Sequence, residues 1–247
     1  PVIDAVKSTR PIIFDKALAS SVKMKGEADF VTEVDLRISE HLKQQLGALH
    51  PEIGFMSEEE EPGELARRRW ILDPIDGTTN FTRRMNYSSI SVALVHNGQK
   101  EYGVVYNPYV GELFAARRGH GATLNGAPIH VSGNDVPHAI VVCGSTIYDR
   151  TYTDRNFSIL RRLYDRCLDY RRFASAALDC CQIAAGRAEI FFECHLSPWD
   201  YAAGTLIAQE AGATATRLEG GPMDPLHAGS VFITNGVCHS VLSELQQ

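Results

Sequence analysis

Apolar positions change period several times along the chain, and each change predicts an element. Residues 2–20 read as a helix interrupted at Pro11, with Ile12, Ile13 and Leu18 on its apolar face. From Thr32 to about Leu49, Ile38, Leu42, Leu46 and Leu49 recur at helical spacing and predict an amphipathic helix. Residues 52–56 and 69–73 read as short strands. From Ser88 to Val131 the pattern alternates. Asn97-Gly98 marks a hairpin and Asn107-Pro108 a second turn, so the stretch is an antiparallel meander. A strand over 139–143 follows, then helices over 154–167 and 175–186, a strand over 188–193, and a helix over 198–211 closed by Gly212. Blocks of strands and helices predict α+β layers rather than a plain βαβ winding. Turn residues between Val131 and Pro137 place a soft boundary between a first half, 1–134, and a second, 135–247. Acids of interest lie on both sides of it, so the halves are read as one unit.

Composition narrows the picture. A chain of 247 residues buries about 70–75% of its unfolded surface, enough for a real core. Twenty-four Lys and Arg stand against thirty Asp and Glu, a formal charge of −6, which argues against an electrostatic nucleic-acid binder. No apolar run is long enough to cross a bilayer, and the first residues lack the basic lead and apolar core of a secretory signal. The missing initiator Met suggests trimming. Six cysteines, with no C-x-x-C pair, read as buried thiols of a reducing compartment, hence a cytoplasmic protein.

The candidate chemistry centres on Trp70-Ile71-Leu72-Asp73-Pro74-Ile75-Asp76-Gly77-Thr78-Thr79-Asn80-Phe81, where an apolar strand ends on two aspartates. Neighbouring carboxylates repel unless a cation lies between them. Hard divalent ions take such oxygen ligands together with substrate phosphate. The N–H groups of Gly77 and Thr78 could cradle an anion. Taken alone, the same residues could be only a turn. Three other places offer acids. Residues 57–61, Ser-Glu-Glu-Glu-Glu, could be a solvated charge run. Asp200, after Ser197-Pro198-Trp199, completes a capping box, as Asp35 does after Thr32, so both could be caps alone. No Ser, Cys or His nucleophile is expected: G-x-S-x-G and H-E-x-x-H are both absent.

Taken in order, these stretches resemble the inositol monophosphatase family of Mg²⁺-dependent, lithium-sensitive phosphatases. Residues 29–35, D-F-V-T-E-V-D, are similar to its D-x-V-T-x-x-D. S-E-E-E at 57–60 stands where it usually has G-E-E-S. W-I-L-D-P-I-D-G-T-T-N-F matches its main signature, and P-W-D-Y-A-A-G at 198–204 with E-A-G at 210–212 its second. The resemblance implies a layered α-β-α-β-α sandwich of the inositol monophosphatase and fructose bisphosphatase type. It also implies a homodimer and hydrolysis of small polyol phosphates by direct attack of metal-activated water, with two or three Mg²⁺. It assigns Glu58 to the first metal and to activating water, with Asp73 bridging and the Ile75 carbonyl assisting. Asp76 and Asp200 hold the second metal. Thr78 and Asp35 orient the water, and the Gly77 and Thr78 amides hold the phosphate. Asp76, Ala176, Glu193 and Asp200 face the substrate. Lys25 resembles a basic residue near the site in bacterial members, or is a surface lysine, and Glu59 supports Glu58.

Thr79-Asn80-Phe81 resembles the branch acting on inositol-1-phosphate. Histidinol phosphate, fructose 1,6-bisphosphate and NADP stand behind it. Some bacterial relatives also act as transcription- or RNA-associated factors. The arginines at 67–69 and the pairs at 83–84, 117–118, 161–162 and 171–172 could build such a surface, or be solvated faces.

Overall fold

The computed structural model describes residues 1–15, 18, 22–24, 30–59 and 67–246, with backbone alone at 22–24, 30 and 31. The predicted first helix is two short ones, α1 (Val2–Lys7) and α2 (Arg10–Ile13). Pro11 opens the second rather than breaking the first, because a missing N–H costs nothing in a helix's first turn. The rest of that predicted helix lies largely outside the described residues. The long amphipathic helix is α3 (Glu33–Leu49). Ala5, Val6, Ile13, Val34, Ile38, Leu42 and Leu46 of these three helices pack on one face of the first large sheet.

That sheet runs in sequence order: β3 (Gly54–Ser57), β4 (Arg68–Asp76), β5 (Ser89–His96), β6 (Gln99–Asn107), β7 (Glu112–Arg117), β8 (Ala122–Leu124) and β9 (Ala127–Ile129). The predicted meander is its β5 to β9 portion, and β3 and β4 pair in parallel beside it. A separate hairpin joins β1 (Val22–Met24) to β2 (Phe30–Thr32). Strand periodicity divides the large sheet into two buried faces. Trp70, Leu72, Ile90, Val92 and Leu94 meet α1 to α3. Ile71, Ala93, Val95, Val105 and Phe114 point the other way, onto α6 (Ala176–Ala184) and α7 (Pro198–Glu210).

These two helices are the middle layer. Their far side packs on Val142, Phe191, Val231 and Ile233 of a second sheet. It consists of β10 (Ile140–Cys143), β11 (Asp169–Arg171), β12 (Ile190–Leu196), β13 (Thr214–Thr216) and β14 (Gly229–Thr234) in the order β11-β10-β12-β14-β13. β10 lies parallel to both β11 and β12. Its outer face, with Val141, Cys143, Ile190 and Phe192, is covered by α5 (Thr153–Tyr164) and α8 (Leu242–Leu245). The result is the expected α-β-α-β-α sandwich.

Three strands of the second sheet carry weak or overlooked signals. β11 is an exposed Asp-Tyr-Arg edge and β13 a three-residue Thr-Ala-Thr, each held by its neighbour rather than by an apolar run. β14 has a plain Val231-Phe232-Ile233 core. Of the six cysteines, Cys167 is half-buried, the other five are buried, and all are free, as expected of thiols that pack as small apolar side chains.

Phe191 is fully buried where the second sheet meets the middle layer. Phe191→Ala should cost about 3–5 kcal/mol of unfolding free energy, read by denaturant titration.

Candidate active site

β4 sits between β3 and β5, an interior place where proline is rare because it cannot donate to the ladder. The strand accommodates Pro74 through a register irregularity between Asp73 and Asp76. The Ile75 N–H turns onto Asp73 Oδ1 at 3.0 Å instead of onto β5. In a regular strand, residues three apart point to opposite faces. Here the extra residue brings Asp73 and Asp76 to one side. Asp200 arrives from the first turn of α7, and one oxygen from each of the three acids lies within 4.8 Å of the others.

The parallel pairing of β3 and β4 puts Ser57 against Leu72, so Glu58 follows beside Asp73. Glu58, Asp73, Ile75, Asp76, Gly77, Thr78, Ala176, Glu193 and Asp200 all line one cleft of about 520 Å³. Asp35 does not line it. It lies buried in the first turn of α3, close enough to raise the Asp73 pKa. Among the described residues no hydrogen bond joins it to Thr78. Lys25, Asp29, Glu60 and Glu61 lie outside the described residues.

For Asp200 the capping and cluster readings are compatible, because a carboxylate has two oxygens. Asp200 Oδ2 accepts the Ser197 N–H at 2.7 Å. Asp35 Oδ2 accepts from both the Thr32 N–H, at 2.9 Å, and the Thr32 hydroxyl. Its Oδ1 is buried with no hydrogen-bond partner. Asp76 is held by four donors. The Ser89 and Ser175 hydroxyls and the Ala177 N–H reach Oδ2, and the Ala176 N–H reaches Oδ1. Ala176 thus faces the cleft with its amide committed to Asp76 at the start of α6.

Two glycines are required here. Gly77 has φ +88°, and an added Cβ would meet the Ala174 carbonyl at 2.8 Å. At Gly144, which follows β10, a Cβ would fall inside the Glu193 carboxylate. Glu193 rises from β12, and its Oε1 accepts the Thr146 N–H at 2.7 Å. Thr78 donates its hydroxyl to the Ile75 carbonyl at 3.0 Å.

Several neighbours escape sequence reasoning: Ser89, Ser175, Asn80, Thr146, Asp179 and Arg172. Asn80 donates to the Tyr87 and Phe173 carbonyls at 2.8 and 2.6 Å, tying α4 (Thr78–Thr82) to the segment before α6. Its place within the Gly-Thr-Thr-Asn-Phe stretch was the available signal. For the others only the fold supplies the proximity.

The electrostatics follow from gathering acids out of water. Burial pushes Asp73 well above the usual carboxylate range, and the charges of Glu58, Asp76 and Asp200 push it further. Asp200 is raised well above its usual value by burial, then by Asp76 and Glu58. Asp76 is raised by burial too, against the opposing pull of its four donors. Burial raises Asp35 and Glu193 each to about 7. An all-oxygen cluster that resists carrying its own charge fits a hard divalent cation such as Mg²⁺.

Cysteine chemistry has a pattern to offer, since Cys181 and Arg187 stand in C-x₅-R spacing. The structure removes it: burial raises the Cys181 thiol well above its usual pKa, and Arg187 is paired with Glu112 at 2.6 Å. Among the described residues, three of the eleven arginines proposed for a binding surface pair with nearby acids. Arg161 meets Asp165, Arg171 meets Asp169 and Arg118 meets Glu101, while Arg69 is buried. No helix among the described residues is long and apolar enough to cross a membrane.

Comparison with known proteins agrees with this geometry. A sequence profile of the inositol monophosphatase family matches residues 2–247. A Vibrio cholerae relative named Nus factor SuhB is 39% identical over 214 residues, covering 85% of this chain and 80% of its own. A Rhizobium meliloti inositol-1-monophosphatase is 38% identical over 229 residues, covering 92% and 86%. A solved IMPase/NADP phosphatase complexed with Mg²⁺ and phosphate superposes with a TM-score of 0.86 at 26% identity, covering 97% of this chain and 90% of that one.

Glu193 offers a test of the cleft's burial. Its folded pKa of about 7 lies above the ordinary 4.5, so the folded state keeps a proton that the unfolded chain releases in between. The stabilisation is complete below that lower value and is lost as pH rises through the upper one. With EDTA present, wild type should lose stability relative to Glu193→Gln between about pH 4.5 and 7.5, measured by urea titration. A pH-independent difference would contradict the burial.

Proposed function

The chain belongs to the inositol monophosphatase family, and from that premise we propose that it hydrolyses phosphate monoesters of small polyols, inositol-1-phosphate-type esters foremost. The observation that carries the reading is the meeting of Asp73, Asp76 and Asp200 in one cleft with Glu58. Two or three Mg²⁺, held by Glu58, Asp73, the Ile75 carbonyl, Asp76 and Asp200, would offset phosphate charge, lower the pKa of the attacking water and stabilise the departing oxygen.

The chain's own groups do the rest. The Thr78 hydroxyl donates its hydrogen bond to the Ile75 carbonyl, which leaves its oxygen lone pairs to accept from the attacking water and orient it. Asp35, whose unpartnered oxygen is buried near Asp73 rather than on the cleft wall, would help Thr78 orient that water. The N–H groups of Gly77 and Thr78, at the start of a short helix, hold the phosphate oxygens. Glu193 accepts from a hydroxyl of the alcohol, and Ala176 gives that part of the cleft a small, apolar floor. The Asp76 hydrogen bonds fix its carboxylate before substrate arrives, so little reorganisation remains for the reaction. A homodimer and a cytoplasmic location belong to the same proposal.

The relative named Nus factor SuhB supports a second reading, a transcription-associated role at a surface separate from the cleft. Loss of turnover without loss of such a partner would separate the two.

Phosphate release from a panel of inositol-1-phosphate, histidinol phosphate, fructose 1,6-bisphosphate and NADP with Mg²⁺, ranked by kcat/KM, tests the reading. Inositol-1-phosphate should lead, and millimolar lithium should inhibit. Asp73→Asn should lower kcat at least about 100-fold with an unchanged circular dichroism spectrum. Near-normal turnover in that variant would remove Asp73 from the chemistry.

A further inference from the structure

The cleft has a second wall, built where the parallel strands β10, β11 and β12 end. Their carboxyl ends deliver Gly144 and Ser145, then Arg172, then Glu193 and His195. The crevice beyond such strand ends is where open α/β sheets bind ligands. Arg172 is the sole Lys or Arg lining the cleft among the described residues. Its Nε donates to the Ser145 hydroxyl at 3.0 Å, which fixes the guanidinium plane.

Arg172 also differs from its neighbours. Arg155, Arg161, Arg166 and Arg171 each have a carboxylate partner within ion-pair distance. Arg172 has none among the described residues, although its charge is felt by Glu193 and Asp179 at longer range. An exposed arginine held by a neutral hydroxyl and aimed into a cleft keeps its terminal amino groups for a ligand. A planar guanidinium takes carboxylate or phosphate oxygens two at a time.

We infer that Arg172 is a specificity residue: between esters of otherwise matched alcohols it favours the one whose alcohol carries a second anionic group, a phosphate or a carboxylate. This rests on the phosphatase reading above. The scissile phosphate belongs with the carboxylate cluster and the Gly77 and Thr78 amides. Arg172, on the other wall beside Glu193, meets the far part of the alcohol. Glu193 accepts from hydroxyls while Arg172 binds the anion, so the two side chains read complementary parts of one leaving group. Because its Nε is already tied to Ser145, the guanidinium loses little freedom on binding.

Two matched pairs of esters test this with Mg²⁺ present. Fructose 1-phosphate and fructose 1,6-bisphosphate differ by a second phosphate. Glucitol 6-phosphate and 6-phosphogluconate differ by a carboxylate. Wild type should favour the more anionic member of at least one pair by about tenfold in kcat/KM, and the pair that shows it names the anion. Arg172→Met should erase that preference by raising KM for the anionic ester, leaving its kcat and both constants for the neutral ester within about twofold. Arg172→Lys should restore part of it, and Arg161→Met, which alters charge outside the cleft, should restore or remove nothing. Equal kcat/KM within both pairs, or an Arg172→Met effect of the same size on all four esters, would overturn the inference while the phosphatase reading stands. Hydrolysis of none of the esters, nor of inositol-1-phosphate, would overturn the phosphatase reading and this inference with it.

Discussion

Three aspartates cannot share a few ångströms of buried space unless the fold forces them together, and here the force originates in Pro74. A proline inside an interior strand removes one ladder hydrogen bond and breaks the two-residue alternation. Asp73 and Asp76 therefore turn to the same side. Loss of water raises the pKa of both, and the charges of Glu58, Asp76 and Asp200 raise that of Asp73 further. The surrounding structure offsets this only in part. Asp76 has four donors, Asp73 accepts the Ile75 N–H, and Asp200 accepts the Ser197 N–H. The residual deficit of positive charge is what makes the cluster fit a cation.

The layered architecture supplies the distant partners. Asp200 is brought in by α7, which packs between the two sheets, and the donors to Asp76 come from the start of α6 in the same layer. Glu193 comes from the second sheet, and Asp73 from the first. The site thus joins both sheets through the helices between them, and no single half of the chain contains it. Burial on both faces of each sheet holds these elements in place, since a strand cannot slide by one residue without exchanging its two apolar faces.

Capping boxes explain why the acids at 35 and 200 are so well placed. A carboxylate at the third position of a helix reaches back to the N-terminal cap, which fixes its side-chain torsions. That local bond uses one oxygen and orients the other, at no cost in further residues. The same economy appears at Asp76, where the first N–H groups of α6 find their partner in a carboxylate from another layer. Helix ends that would otherwise need solvent are satisfied by the site's own acids.

The sequence by itself determined the elements and the identity of the acids. Helical spacing marked α3, α6 and α7, alternation marked the meander, and the two signatures named Asp73, Asp76 and Asp200, because each of these signals is local in the chain. Pro11 was misread since its effect depends on whether it opens or interrupts a helix, and β11 and β13 were missed because short polar strands are defined by their neighbours. The tertiary structure alone decided that Ser89 and Ser175 hold Asp76, that Asp35 is buried near Asp73 rather than lining the cleft, and that Arg172 enters it with no carboxylate at ion-pair distance among the described residues. Those facts depend on distances between residues far apart in sequence, where no periodicity reaches and only packing sets which groups meet.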